Sequence, residues 1–253
     1  MIAYPLTRAN RLRVAQVFAN VPHVDISIEC VLEDQMGKVF VDSTENPHYF
    51  LIEQDSFFCY LAGDFSTDAG RTFLSKLPRG RFLMAGSQGW DVVQDVYGDG
   101  IMPIPRHHYS SDTLAREHLQ TLAQNNPNTP NIKRIDPALI SKGIPFLEIG
   151  AFESQKDFLE RGVGFIVMQN EQSIGVAYSS LVASNALEVS IVVDEAHRRK
   201  GIATALSCQL LLWCLERSIA PHWDAANDES CALAEKLGYS DKQAYTAYFL
   251  KPE

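Results

Sequence analysis

The stretch Val189 to Thr204, reading VSIVVDEAHRRKGIAT, holds the residues whose types and spacing point most directly to chemistry. A β-branched run ends at an acidic turn. Two arginines and a lysine follow, and Gly201 and Ala203 open an apolar-periodic helix. A strand, a basic loop and a helix start in that order suit an anion. The first helical turn offers N–H groups without intrahelical partners and the positive end of the helix dipole. Gly201 puts no Cβ between its peptide and a ligand oxygen. Ala203 is the next smallest residue, and Arg198, Arg199 and Lys200 add charge-assisted donors where a diphosphate would sit. This is neither the nucleotide P-loop G-x-x-x-x-G-K-[ST] nor G-x-G-x-x-G. A solvated basic helix start would read the same way over so short a pattern, so the surrounding elements carry weight.

Those elements are legible. Leu187 to Val193 is the strand that delivers the loop. The helix after it runs from about Lys200 to Ser218, with Ile202, Leu206, Leu210 and Trp213 on one face. Upstream, Asn131 to Ile135 reads as a strand, and Asp136-Pro137 as N-cap and first-turn proline of a helix through Ser141. Ser154 to Gly162 reads as a second helix. Gly164 to Gln169 and Ser173 to Ala183 are strands around the turn Asn170-Glu171-Gln172. Downstream, Pro221 to Ala225 is a strand, Asp228 to Leu237 a helix with Gly238 as its C-cap, and Tyr245 to Leu250 a last strand.

The N-terminal half is less informative. Thr7 caps a helix to Asn20, and Val24 to Asp34 is ambiguous between helix and strand. Lys38 to Asp42, His48 to Glu53 and Ser56 to Ala62 read as strands, the last two joined by a hairpin at Gln54-Asp55. Thr67 to Leu77 reads as a helix, Arg81 to Ala85 as a strand and Ser87 to Tyr97 as a helix. Pro103 and Pro105 mark an irregular or edge segment. His107 and His108 would face opposite sides of a strand, so no metal is assigned. Ser111 or Asp112 caps a helix through Leu122. Gln124 to Asn131, with four asparagines and two prolines, is the sharpest change of composition. It sets the expected boundary between a domain of residues 1–126 and one of 127–253. The N-terminal strands faintly echo the C-terminal ones, which leaves a degenerate duplicated module open.

The totals are those of a globular α/β protein: 253 residues, 46% hydrophobic and 21% charged. A net charge of −9 argues against a broad nucleic-acid footprint and makes the local cations at 198 to 200 stand out. Five cysteines without a C-x-x-C pair fit a reducing cytoplasm. No stretch approaches membrane-spanning length, so a cytoplasmic protein with no membrane partner is expected.

The pattern Arg-x-x-Gly-x-Ala on Arg198, Gly201 and Ala203 resembles the acetyl-CoA loop, Gln/Arg-x-x-Gly-x-Gly/Ala, of the GNAT superfamily of N-acetyltransferases. Asn227 followed by Lys236-Leu237-Gly238-Tyr239 resembles the family's Asn…Lys-Leu-Gly-aromatic segment. The element order over roughly 131 to 253 is the GNAT order. Pro221 and Trp223-Asp224-Ala225 are similar to a bacterial branch with an extra N-terminal region, some of whose members modify amine-bearing antibiotics.

The resemblance implies a mixed, mostly antiparallel sheet flanked by helices, with the N-terminal α/β domain as a module of unassigned role. It implies acetyl-CoA as cofactor, held by Ile191, Val192, Val193, Arg198, Arg199, Lys200, Gly201, Ile202, Ala203 and Thr204. Asn227 and Ser230 would reach the cofactor arm, although simple helix capping explains them equally. The strand before the loop would splay from the strand after the helix. Backbone groups of Ser190 to Val193 would then meet the pantetheine amides, and an N–H near Ile191 would serve as oxyanion donor.

Transfer to an alkyl amine also needs a proton acceptor. Glu188 stands where some members carry a catalytic glutamate, and binding of a cationic substrate is the competing role. Many members carry a tyrosine at the eighth position of the Asn segment to protonate the leaving thiolate. Ala234 occupies it here, which leaves solvent, Tyr245 or Tyr248, and Tyr248 is taken as the candidate. The expected activity is acetyl transfer to a primary amine of a small molecule. The alternatives are a non-catalytic acyl-CoA sensor and a protein or peptide acetyltransferase, and a homodimer is left open.

Overall fold

A computed structural model describes residues 1–22, 24–54, 57–86 and 89–252. In chain order the elements are β1 (Ile2–Ala3), α1 (Arg8–Phe18), α2 (Ser27–Leu32), β2 (Lys38–Val41), β3 (Phe50–Glu53), β4 (Phe58–Ala62), α3 (Asp68–Leu74), β5 (Arg81–Ala85), α4 (Trp90–Tyr97) and β6 (Ile101–Ser110). They continue with α5 (Arg116–Gln124), β7 (Ile132–Arg134), α6 (Pro137–Ile140), α7 (Gln155–Arg161), β8 (Gly164–Gln169), β9 (Gln172–Val182), β10 (Ala186–Val193), α8 (Ile202–Leu215), β11 (Ala220–Ala225), α9 (Asp228–Leu237) and β12 (Ser240–Leu250). Apart from α5, one series of elements occurs twice. A short strand and two helices lead into three strands, and a helix, a strand, a helix and a closing strand follow. The faint echo in the sequence is thus a repeated element order.

The contacts divide the chain at Arg106/His107 and Ala244/Tyr245, not at the expected 126/127. The unit Met1–Arg106 with Tyr245–Glu253 has the strand order β1-β2-β3-β4-β5-β12. Its antiparallel meander β1 to β4 is followed by α3 and by β5, which lies parallel to β4. The Tyr248–Leu250 end of β12 pairs with β5, and Ala247 and Leu250 are fully buried in its two core clusters. The unit His107–Ala244 has the order β6-β11-β10-β9-β8-β7. β7 to β10 are antiparallel, and β10 and β11 are parallel on either side of α8. Both sheets are therefore mixed and mostly antiparallel, with helices packed on them. Among the described residues no helix is long and apolar enough to cross a membrane. All five cysteines are buried, and none is joined in a disulfide.

Local chemistry explains most boundaries. Thr7, Thr67, Asp136, Ser154 and Asn227 each cap a helix, their side-chain oxygens accepting from the amide three residues on. The ambiguous segment 24–34 forms α2. The segment with Pro103 and Pro105, expected to be irregular or an edge, is a ten-residue strand. Its pairing with β11 uses His107, His108 and Tyr109, beyond both prolines, so neither is asked for a donor there. The hairpin connection expected at Asp55, and the starts expected at Ser56 and Ser87, lie outside the described residues. α8 is buried on most of its surface because it packs on β8, β9, β10 and α5 at once.

Candidate active site

Beside α8 the sheet of the second unit splits. β10 and β11 pair in parallel from Ala186 with Ala220 to Glu188 with His222. Beyond that point β11 turns to β6, Trp223 opposite Tyr109, while β10 keeps to β9 as far as Val193 opposite Gly175. A bulge marks the parting, with Ser180 the extra residue of β9 opposite Glu188 and Val189. Ala220 N–H donates to the Asn185 carbonyl, and Asp194 N–H donates to Ile174. Backbone groups alternate sides along a strand. Both bonds fix the same alternation: Ser190 and Val192 turn to β9, and Ile191 and Val193, beyond the last pair with β11, turn their N–H and C=O groups into the opening.

The opening continues into a cleft of about 720 Å³. Val189 to Val193, Arg198, Arg199, Gly201 to Thr204, Asn227 and Ser230 line it, so nearly all the residues assigned to a cofactor meet in one place. Arg199 and Gly201 are both left-handed, at φ 62° and 81°. Among the described residues, no backbone amide from Arg199 to Thr204 donates to a protein acceptor; the first intrahelical donor is Ala205, to Gly201. Arg198 Nε reaches the Val193 carbonyl at 3.4 Å. Lys200 does not line the cleft, because its ammonium turns back to the Ala196 carbonyl at 3.0 Å.

The cleft also takes in residues that were given no cofactor role in the sequence, among them His197, Trp223, Leu233 and Lys236. Lys236 donates to Thr204 Oγ1 at 3.2 Å in the first turn of α8. A cation at the positive end of a helix is unfavourable alone and favourable once an anion joins it. His197 hydrogen-bonds Asp194 at 3.1 Å, and that bond, aided by the Ala196 amide, holds the Asp194 carboxyl below its usual range. Trp223 Nε1 donates to Ser230 Oγ at 3.2 Å. Leu233 completes the face of α9 begun by Asn227 and Ser230, a three-residue spacing that could have flagged it. Asn227 both caps α9, accepting from Ser230 N–H at 2.9 Å, and lines the cleft.

The catalytic candidates are placed differently. Glu188 is 8% exposed at the apex of the split, the last residue of β10 paired to β11. Ser190, two residues on, lines the cleft and hydrogen-bonds Tyr178, whose hydroxyl accepts from Glu148 N–H at 3.3 Å. Burial raises the Tyr178 phenol, and the Ser190 bond opposes that rise. Ala234 is fully buried in the core with residues of β11 and α8, and it does not line the cleft. Tyr248 belongs to the other unit, paired with Leu83, its ring centroid 3.9 Å from that of Trp90. It is not among the residues that line the cleft.

The family model described as GNAT acetyltransferase matches residues 16–248. The chain belongs to the GNAT acetyltransferase family. It is 27% identical over 226 residues to the uncharacterised N-acetyltransferase YdfB of Bacillus subtilis, covering 84% of this chain and 85% of that one. A crystal structure of a GCN5-related N-acetyltransferase-like protein from Streptococcus suis superposes with a TM-score of 0.84 at 30% identity, covering 96% of this chain and 99% of that one. A GCN5-related N-acetyltransferase from Kribbella flavida, at 12% identity and a TM-score of 0.56 over 91% of this chain and 95% of its own, shows the same fold.

In this acyltransferase the first unit repeats the element order, but among the described residues its two parallel strands do not part. β4 and β5 stay paired from Phe58 with Phe82 to Leu61 with Ala85. The loop into α3 reads Gly63-Asp64-Phe65-Ser66-Thr67 and carries no cation. Thr67 caps α3 itself at 3.0 Å, and Asp64 accepts from Ser66. Acidic residues thus occupy the place where the second unit presents arginines.

Proposed function

We propose that the cleft of the second unit binds acetyl-CoA and that the enzyme acetylates a primary amine of a small molecule. One observation carries the reading. The unpaired amides of Arg199 and of Gly201 to Thr204, at a helix start, and the strand edge of Ile191 and Val193 border the same cleft. The amides and the Arg198, Arg199 and Lys236 cations suit a diphosphate. The edge of Ile191 and Val193 suits the amides of a pantetheine arm, as an added strand would. When bound, acetyl-CoA supplies an acetyl group activated as a thioester.

The chain's own groups then have distinct tasks. Ile191 N–H, turned into the opening, is a donor for a carbonyl oxygen gaining charge. Glu188, at the apex, takes the proton of an attacking amine. Ser190, backed by Tyr178, is the hydroxyl on the cleft wall nearest in sequence to that base. The test is a panel of small amines and peptides assayed for CoA thiol release. Turnover with small amines that falls about 10²-fold or more in Glu188→Gln, with CoA affinity retained, supports the reading. Turnover with peptides alone, or an unaffected Glu188→Gln enzyme, refutes it. The buried Ala234 favours a second reading, a non-catalytic acyl-CoA sensor, which requires tight CoA binding and no thiol release with any amine.

A further inference from the structure

The asparagine-rich segment between α5 and β7 reaches the basic loop. Asn126 Nδ2 donates to the Gly201 carbonyl at 2.9 Å, and Asn128 Nδ2 donates to the Lys200 carbonyl at 2.8 Å. The two carboxamides are locked to each other. Asn126 Oδ1 accepts from both the backbone N–H and the Nδ2 of Asn128, each at 3.0 Å. Thr129 Oγ1 ties the segment to the Ala123 carbonyl at the end of α5, at 2.7 Å. A turn-forming asparagine satisfies carbonyls or amides next to it in sequence. These two reach acceptors 75 and 72 residues away.

We infer that Asn126 and Asn128 are positioning residues for phosphate recognition, a role that rests on the cleft being the CoA site. In a trans peptide the C=O and the following N–H lie in one plane and point in opposite directions. Holding the Lys200 carbonyl on the outer side therefore aims Gly201 N–H the other way, and holding the Gly201 carbonyl does the same for Ile202 N–H. Both amides belong to the unpaired run that borders the cleft. The conformation this requires is left-handed at Gly201, φ 81°, where a Cβ would stand 3.2 Å from Asn126 Nδ2. The clamp touches no ligand itself. It sets the direction of two backbone donors before an anion arrives, which removes an ordering cost from binding.

The test compares Asn126→Ala, Asn128→Ala and the double variant with wild type. Affinity is measured for CoA and for pantetheine, which lacks the diphosphate and the phosphoadenosine, together with the melting temperature. Each single variant should raise the Kd for CoA by about two- to tenfold, the worth of one neutral hydrogen bond, and leave the Kd for pantetheine unchanged. Thr129→Val loosens the same segment without touching either carbonyl, and should leave both affinities unchanged. An unchanged Kd for CoA in the double variant overturns the inference. So does a parallel loss of CoA and pantetheine affinity with a lowered melting temperature, which marks a merely structural role. Wild-type protein that fails to bind CoA overturns the functional reading and the clamp with it. Wild type that binds CoA beside indifferent variants overturns the clamp alone.

Discussion

Replacing Gly201 by alanine tests how the loop conformation supports binding. An L-residue held left-handed costs about 1–2 kcal/mol, and alanine recovers about half of that by restricting the unfolded chain. The net loss is about 1 kcal/mol. The new Cβ would also meet Asn126 Nδ2 at 3.2 Å, the atom that donates to the Gly201 carbonyl. Displacing it forfeits that hydrogen bond, worth about 1 kcal/mol. Gly143 provides the control, because it has a similar φ of 75° and nothing within 4 Å of the place a Cβ would take. Gly143→Ala should therefore lose about 1 kcal/mol, or about 2–4 °C in melting temperature, and bind CoA as wild type does. Gly201→Ala faces about 2 kcal/mol. If the loop leaves the left-handed region to escape that strain, CoA must restore it on binding, and its Kd rises by about ten- to thirtyfold in calorimetric titration. If the loop stays, the melting temperature falls by about twice the Gly143→Ala shift. A Gly201→Ala protein that matches Gly143→Ala in both measurements refutes the account of loop and clamp together.

The first unit keeps β4 and β5 paired and puts acids at the start of α3, so calorimetry should give one CoA per chain; a stoichiometry of two contradicts that contrast. Arg198→Gln should weaken CoA, and its difference from wild type should shrink as NaCl is raised, since Arg198 is exposed and its charge is screened; a salt-independent difference would point to packing instead. In α7 the Arg161 hydrogen bond, at 2.6 Å, holds the Asp157 carboxyl below its ordinary value of 3.8. A lowered folded-state pKa gives stability that is present above the unfolded value and lost as pH falls through the folded one. Arg161→Ala should therefore unfold at a higher pH on acid titration by circular dichroism, and superimposable acid transitions would rule the linkage out.

Short-range chemistry was the legible part of the sequence. Thr7, Thr67, Asp136, Ser154 and Asn227 cap helices where their types say they should, because the bond each makes spans three residues. The basic loop was legible for the same reason, since a strand end, two arginines and a glycine lie within one turn. What escaped depends on partners distant in sequence. The strand that contains Pro103 and Pro105 finds its partner β11, at His107 to Tyr109, more than a hundred residues later. The composition of 124–131 announces a loop, and nothing in it announces that its carboxamides answer carbonyls at 200 and 201. Lys236 joins the cleft through the rotation of α9, which Asn227 fixes only once the helix is seen in three dimensions. α5 begins at Arg116, beyond the Ser111 and Asp112 expected to cap it, after an extended turn in which Asp112 N–H bonds Ser110 Oγ.

The last strand has a consequence for synthesis. β5 acquires Tyr248, Phe249 and Leu250 as its neighbours, and the apolar interiors around it take in Ala247 and Leu250. These residues leave the ribosome only after the whole of the second unit has been made. Domains ordinarily mature in the order in which they emerge. Here the portion made first waits, with β5 an open sheet edge, until Tyr248 to Leu250 arrive, and any nascent chain released before them would expose that edge to other chains.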